Sequence, residues 1–232
     1  MSGMAVMKLL NLPLFAPTRQ MGIVYVIMVL CLAVEALLLA ADFGLVPMGR
    51  LRQNFYEYAG FWPGLLDRWG PNYAAQPYVM FVSYSFLHSG VMHVLVNMYM
   101  LYTLGHITVD RVGPWGFFWL YGAAVLGGAV CFGLLAQDVR PMVGASGGLF
   151  GLLGGLLAWN YVDRFFSDRR LWPVLRGVFL LILLNVVMWW VMNGHLAWQT
   201  HLGGFVAGWV AALLIDPRGQ KLDPADDVPP EN

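Results

Sequence analysis

Six apolar segments run through this chain of 232 residues, at about 21–41, 90–109, 114–136, 146–161, 173–192 and 200–215. An apolar run of about 20 residues crosses a bilayer core as a helix, because lipid offers no partner to an unpaired backbone N–H or C=O. The segments therefore predict an all-α membrane protein built as a six-transmembrane-helix bundle. Only 11% of the residues are charged, where a soluble domain carries about 25%. Formal net charge is zero, which implies no nucleic-acid partner. Cys31 and Cys131 lie inside apolar runs and read as small buried hydrophobes; two are too few for a disulfide framework or a metal cluster.

The segments divide the chain into a cytoplasmic leader (1–20), a transmembrane domain (21–215) and a polar, Pro-rich tail (216–232) expected to be disordered. The first run lacks a cleavage site and reads as a retained span. Residues 42–89 form a long first loop, rich in Gly, Pro and aromatics and too apolar to be wholly solvated. It is expected to be partly membrane-embedded, with 51–58 as an interfacial helix. Basic residues set the orientation. With the N-terminus inside, Lys8, Arg19, Arg111, Arg164, Arg169, Arg170, Arg176, Arg218 and Lys221 fall on the cytoplasmic side, against Arg50, Arg52, Arg68 and Arg140 outside. That bias predicts cytoplasmic termini, as in a bacterial inner membrane.

The fourth and sixth segments are short, about 15–16 residues where about 20 would cross. Each is expected to stop inside the bilayer on the outer side, where its first-turn N–H groups need water or side-chain partners. Ser146, His201 and His93 lie 18, 17 and 18 positions from Arg164, Arg218 and Arg111. At about 1.5 Å per residue all three sit about 26–27 Å above the inner boundary, on one level.

Those residues carry the chemistry. Ser146 stands in Gly144-Ala145-Ser146-Gly147, among small neighbours that allow close approach, and is placed to cap the following helix. That helix carries Gly147, Gly151 and Gly155 at four-residue spacing, and the sixth carries Gly204 and Gly208. Matching small-xxx-small stripes let two membrane helices touch backbone to backbone, which brings Ser146 beside His201. A histidine at that depth needs a partner and is a functional candidate. As a base, it takes the Ser146 proton and returns it to a leaving amine. No acid lies between Arg169 and Ile215, so the expected unit is a Ser–His dyad. Glu35 reads as structural, Asp138 is the nearest acid preceding Ser146, and the Phe150 ring is placed to pack on His201. His93 and Asn97, four apart, share a helix face; with the Ser146 N–H they are candidate oxyanion donors. Read from spacing alone, both the serine and this pair fit purely structural roles as well. His88 reads as structural, and His106 and His195 as interfacial. No metal-ligand spacing occurs, and no cofactor is expected.

At these residues the chain resembles the rhomboid family of intramembrane serine proteases, over about 78–215. The carriers are His88-x4-His93-x3-Asn97, Gly144-Ala145-Ser146-Gly147 and His201-x2-Gly204-x3-Gly208, in that order. The resemblance implies Ser146 as nucleophile, His201 as base, and His93 and Asn97 in the oxyanion hole. It implies substrates that are single transmembrane segments, cut near their outer end, with lateral access past the fifth helix (Trp189, Trp190). Three positions depart from the family. Val79 and Met80 stand where a Trp-Arg pair is common in the first loop, Phe150 where Tyr is common, and Thr200 where Ala is common. The rival readings are a non-catalytic rhomboid-like protein that binds membrane clients, and a small transporter.

Overall fold

The structure, a computed structural model, describes residues 20–136 and 140–216. The expectations of a cytoplasmic leader, of a disordered tail, and the positions of Lys8, Arg19, Asp138, Arg218 and Lys221 lie outside the described residues. Seven α-helices account for most of the rest: α1 (Gly22–Asp42), α2 (Leu51–Ala59), α3 (Gln76–Ser83), α4 (Val91–Leu135), α5 (Ser146–Phe166), α6 (Trp172–Val191) and α7 (Trp198–Ile215). Short 3-10 turns follow α2 and α3. The described residues contain no strand, only an isolated bridge between Phe61 and Met142. Four helices, α1, α4, α6 and α7, are long and apolar enough to cross a membrane.

The 45-residue α4 is two helices in sequence. Gly113 (φ 73°, ψ 176°) interrupts it just before Pro114. Proline removes a donor and disfavours the α region for its predecessor, and glycine is free to take the positive φ that this break uses. The arms fold back: a Cβ placed on Gly105 would lie 3.5 Å from the Phe117 ring, whereas twelve residues of straight helix span about 18 Å. The second and third apolar segments are thus the arms of one hairpin.

The core lies where α5, α7 and the second arm of α4 meet, and glycine makes the contact. A Cβ on Gly204 would strike the Gly147 backbone, its carbonyl carbon at 2.8 Å; one on Gly208 would strike the Gly151 backbone, and one on Gly155 would approach the Gly208 oxygen at 3.5 Å. The stripes expected to mesh do so. A further stripe meets α4: a Cβ on Gly127 would sit 2.9 Å from the Gly203 oxygen. Glycines on two faces of α7 wedge it between its neighbours. By contrast α6 buries only Val174 along its 20 residues.

Two expectations need correction. The fourth segment is not short: α5 runs 21 residues to Phe166, about 31 Å. Its last turn stays helical because Asp163, which ends the apolar pattern in sequence, is buried against Arg111 at 2.7 and 2.9 Å. The α7 helix has 18 residues, about 27 Å, slightly longer than expected. A helix ending within the bilayer is therefore no longer implied for α5.

The first loop is organised around Arg52 on α2. Its guanidinium donates to Glu35 at 2.9 and 3.1 Å, to Asp42 at 2.7 Å and to the His88 carbonyl at 3.0 Å. Tyr56 donates to the same carbonyl at 2.7 Å. Burial opposes the Arg52 charge, but the bonds to Glu35, Tyr56 and Asp42 outweigh it and hold its pKa above the ordinary value. Glu35 thus has the structural role expected of it. Met80 is buried and Val79 exposed, while Arg68 and Asp67 form an exposed pair of little energetic weight. Arg52 pins the loop that lacks the Trp-Arg pair.

Candidate active site

Arg111 ties one end of three helices together. It pairs with Asp163 on α5 and with Asp216, just beyond α7, at 3.3 Å, and lies 4.9 Å over the Trp159 ring. Trp159 donates to the Ala212 carbonyl at 3.0 Å. From this knot, His93 is 18 residues back along α4, Ser146 is 17 back along α5, and His201 is 15 back along α7. Those lengths, about 27, 26 and 23 Å, bring the three side chains together at the opposite ends of their helices.

There the Ser146 hydroxyl lies 2.9 Å from His201 Nε2. Ser146 is the first residue of α5, but the N-cap is Ala145 and no side chain caps the helix. The expectation that Ser146 caps its own helix is corrected: the hydroxyl bonds the imidazole instead. Gly144 allows this geometry. Its φ is +129°, and a Cβ there would lie 2.8 Å from His93 Cε1 and 2.9 Å from Nε2. Any side chain at Gly144 would displace His93. Its N–H donates to the Tyr84 carbonyl at 3.0 Å. Gly147 is equally confined, with Thr200 Cγ2 at 2.7 Å and the Tyr84 hydroxyl at 3.0 Å from a Cβ there.

Phe150, one turn along α5, stacks on His201 with ring centroids 4.1 Å apart and planes 6° from parallel. The opposite imidazole nitrogen, Nδ1, lies 2.7 Å from Asn185 Oδ1 on α6. Asn185 is absent from the expected site residues, because the usual orienting partner of a catalytic imidazole is a carboxylate. The available signal was a lone amide in the apolar stretch 177–192. His201 is 7% exposed, so both of its nitrogens are committed within the fold.

His93 Nδ1 receives the Ser89 backbone N–H at 3.3 Å and lies 2.9 Å from the Ser89 hydroxyl. With Nδ1 accepting, the ring proton belongs on Nε2, the edge that faces Gly144. Asn97 is buried one turn further along and donates to the His93 carbonyl at 2.8 Å, which leaves one amide N–H. His88 is fully buried, edge-on to His93 at 5.0 Å. Beside His201 a cleft of about 600 Å³ opens between α6 and α7. Its walls are apolar or aromatic apart from Asn185 and His201.

Comparison with known proteins gives one family. A family model for the Rhomboid domain matches residues 75–218, which include every residue of the site. The chain is 31% identical over 146 residues to RHOMBOID-like protein 5 of Arabidopsis thaliana, covering 62% of this chain and 46% of that protein. It is 28% identical over 131 residues to Rhomboid protease GluP of Bacillus subtilis, covering 56% and 24%. It is 33% identical over 113 residues to Rhomboid-related protein 2 of Mus musculus, covering 46% and 34%. The chain spans less than half the length of each of these curated relatives.

Proposed function

The chain belongs to the rhomboid family, and from that premise we propose that it is an intramembrane serine endopeptidase. The observation that carries this reading is the 2.9 Å contact of Ser146 Oγ with His201 Nε2, held by helices locked glycine to glycine. His201 takes the hydroxyl proton as Oγ bonds to the scissile carbonyl carbon, and the carbonyl electrons move to its oxygen. The Ser146 N–H, His93 Nε2–H and the remaining Asn97 N–H are the donors for that oxyanion. The tetrahedral adduct collapses, His201 passes its proton to the leaving amine, and an acyl-enzyme remains. Water, deprotonated by His201, then releases the acyl group.

In this proposal α1, the two arms of α4, α5, α6 and α7 make six crossings, with both termini cytoplasmic and Ser146 near the outer face. The first loop lies partly in the membrane; its exposed Phe43, Leu45 and Tyr78 suit such contact. The substrate is a single transmembrane segment that reaches Ser146 laterally past α6, the least buried long helix. It must unwind there, because a helical peptide bond is shielded by its own hydrogen bonds; a Gly or Pro near the cut site assists. No cofactor enters the reaction.

The test is cleavage of a reconstituted single-span substrate in proteoliposomes. Wild type is expected to cut it, and Ser146→Ala to lose at least about 10³-fold in kcat. Client binding without cleavage, unchanged by Ser146→Ala, would refute the reading and favour a non-catalytic client-binding protein.

A further inference from the structure

We infer that Asn185 is a positioning residue that sets the tautomer of His201, which extends the Ser–His pair to a Ser–His–Asn relay. The inference rests on the protease reading for its consequence in catalysis, but its geometry stands independently. Asn185 lies on α6, a helix with almost no buried face. An amide among lipid-facing residues is costly unless both of its ends are bonded. Here both are: Nδ2 donates to the Leu181 carbonyl at 3.1 Å, and Oδ1 lies 2.7 Å from His201 Nδ1.

These contacts set the orientation of the amide and the tautomer of the ring. The Leu181 carbonyl can only accept, so the NH2 end of the amide faces it. The oxygen end then faces the ring and can only accept, so His201 Nδ1 carries the hydrogen. A neutral imidazole has one N–H, so Nε2 presents a lone pair to the Ser146 hydroxyl, the form a general base needs. With the other tautomer, Nε2–H would point at Ser146 and no proton could be taken. When Ser146 Oγ attacks, its proton moves to Nε2 and the imidazolium keeps its Nδ1–H donated to Asn185. The amide oxygen thereby steadies the charge that appears on the ring.

An amide suits this place better than a carboxylate. It orients the imidazole without burying a negative charge, in keeping with the lack of any acid between Arg169 and Ile215. An asparagine with both ends free can flip and donate to the ring, which would select the wrong tautomer; the Leu181 carbonyl prevents the flip. Because the partner stands on α6, alignment of the base depends on that helix being seated.

The experiment is nitrogen-15 histidine NMR on the full chain in lipid nanodiscs, paired with kinetics on a single-span substrate. In wild type His201 is expected neutral, with Nδ1 protonated and hydrogen-bonded. Asn185→Leu, close in volume and on a lipid-exposed helix, is expected to move the ring towards the Nε2–H form. Its kcat should fall about 10- to 100-fold, less than the whole 10²–10⁴ that a general base supplies because part of the ring population keeps the productive tautomer, with KM changed less than about twofold. Asn185→Asp keeps an acceptor oxygen, and its protonated form can donate to Leu181. It is expected to retain the Nδ1–H tautomer and lose less than about tenfold. An unchanged tautomer and kcat in Asn185→Leu overturns the inference, as does a loss confined to KM. A wild type that cuts nothing refutes the protease reading, while its His201 tautomer still decides the role of Asn185.

Discussion

Gly204→Ala adds one methyl group where α5 and α7 touch. The added Cβ would lie 2.8 Å from the Gly147 carbonyl carbon and 3.2 Å from its Cα, with the carbonyl oxygen nearer still. Carbon atoms rest at about 3.5–4.0 Å. The obstacle is backbone, so no rotamer relieves it, and the helices must separate by about 1 Å. Gly147 follows Ser146 and Gly204 is one turn from His201, so the separation falls on the 2.9 Å Ser–His contact. That distance approaches 4 Å, beyond hydrogen-bond range. A 1 Å misplacement of reacting groups costs about 10²-fold in rate, and overpacking costs about 1–3 kcal/mol in stability. Gly122→Ala is the control, since nothing lies within 4 Å of a Cβ there. Cleavage rates and thermal unfolding in detergent would be compared. Gly204→Ala is expected to lose about 10²-fold in rate and some stability, and Gly122→Ala neither. Equal behaviour of the two variants would refute the reasoning.

Other expected outcomes follow from the same geometry. His93→Ala removes one of the proposed oxyanion donors and should lower kcat about 10²–10³-fold with little change in thermal unfolding; a loss confined to KM would contradict this. Arg52→Ala strands Glu35, whose side chain is 2% exposed, and should cost about 3–5 kcal/mol in denaturant unfolding. The double variant Arg52→Ala, Glu35→Gln should recover part of that loss, and no recovery would argue against the ion pair as the anchor. Phe150→Leu removes the stacking partner of His201 and should cost about 0.5–1.5 kcal/mol in transition-state stabilisation, read as kcat/KM. Phe150→Tyr should stay near wild type, and a large loss there would oppose a stacking role.

Local patterns were the legible part of this sequence. Glycines four apart on two segments announced the α5–α7 contact, and that contact places Ser146 beside His201. Pro114 after Gly113 marked the break in α4. Features that depend on remote partners were not legible. Asp163 and Arg164 look like the end of a span, and only the ion pair with Arg111 explains why α5 continues through them. Ser146 has the composition of an N-cap, but its hydroxyl bonds His201 across 55 positions. Asn185 carries no local signal beyond polarity in an apolar run; its role exists only once α6 stands beside α7. Arg52 looks like any basic loop residue until Glu35, Asp42 and the His88 carbonyl converge on it. The α4–α7 approach rests on a mixed stripe, Gly127 and Cys131 against Gly203 and Ala207, which stands out less than glycines alone because alanine and cysteine are also ordinary members of an apolar helix.

The most direct test of the account is the site and rate of modification by a fluorophosphonate, read by mass spectrometry of the intact chain and its peptides. A single adduct on Ser146 is predicted, absent in Ser146→Ala and formed at least about 10²-fold more slowly in His201→Ala. An adduct on another residue, or labelling of His201→Ala at the wild-type rate, would contradict it.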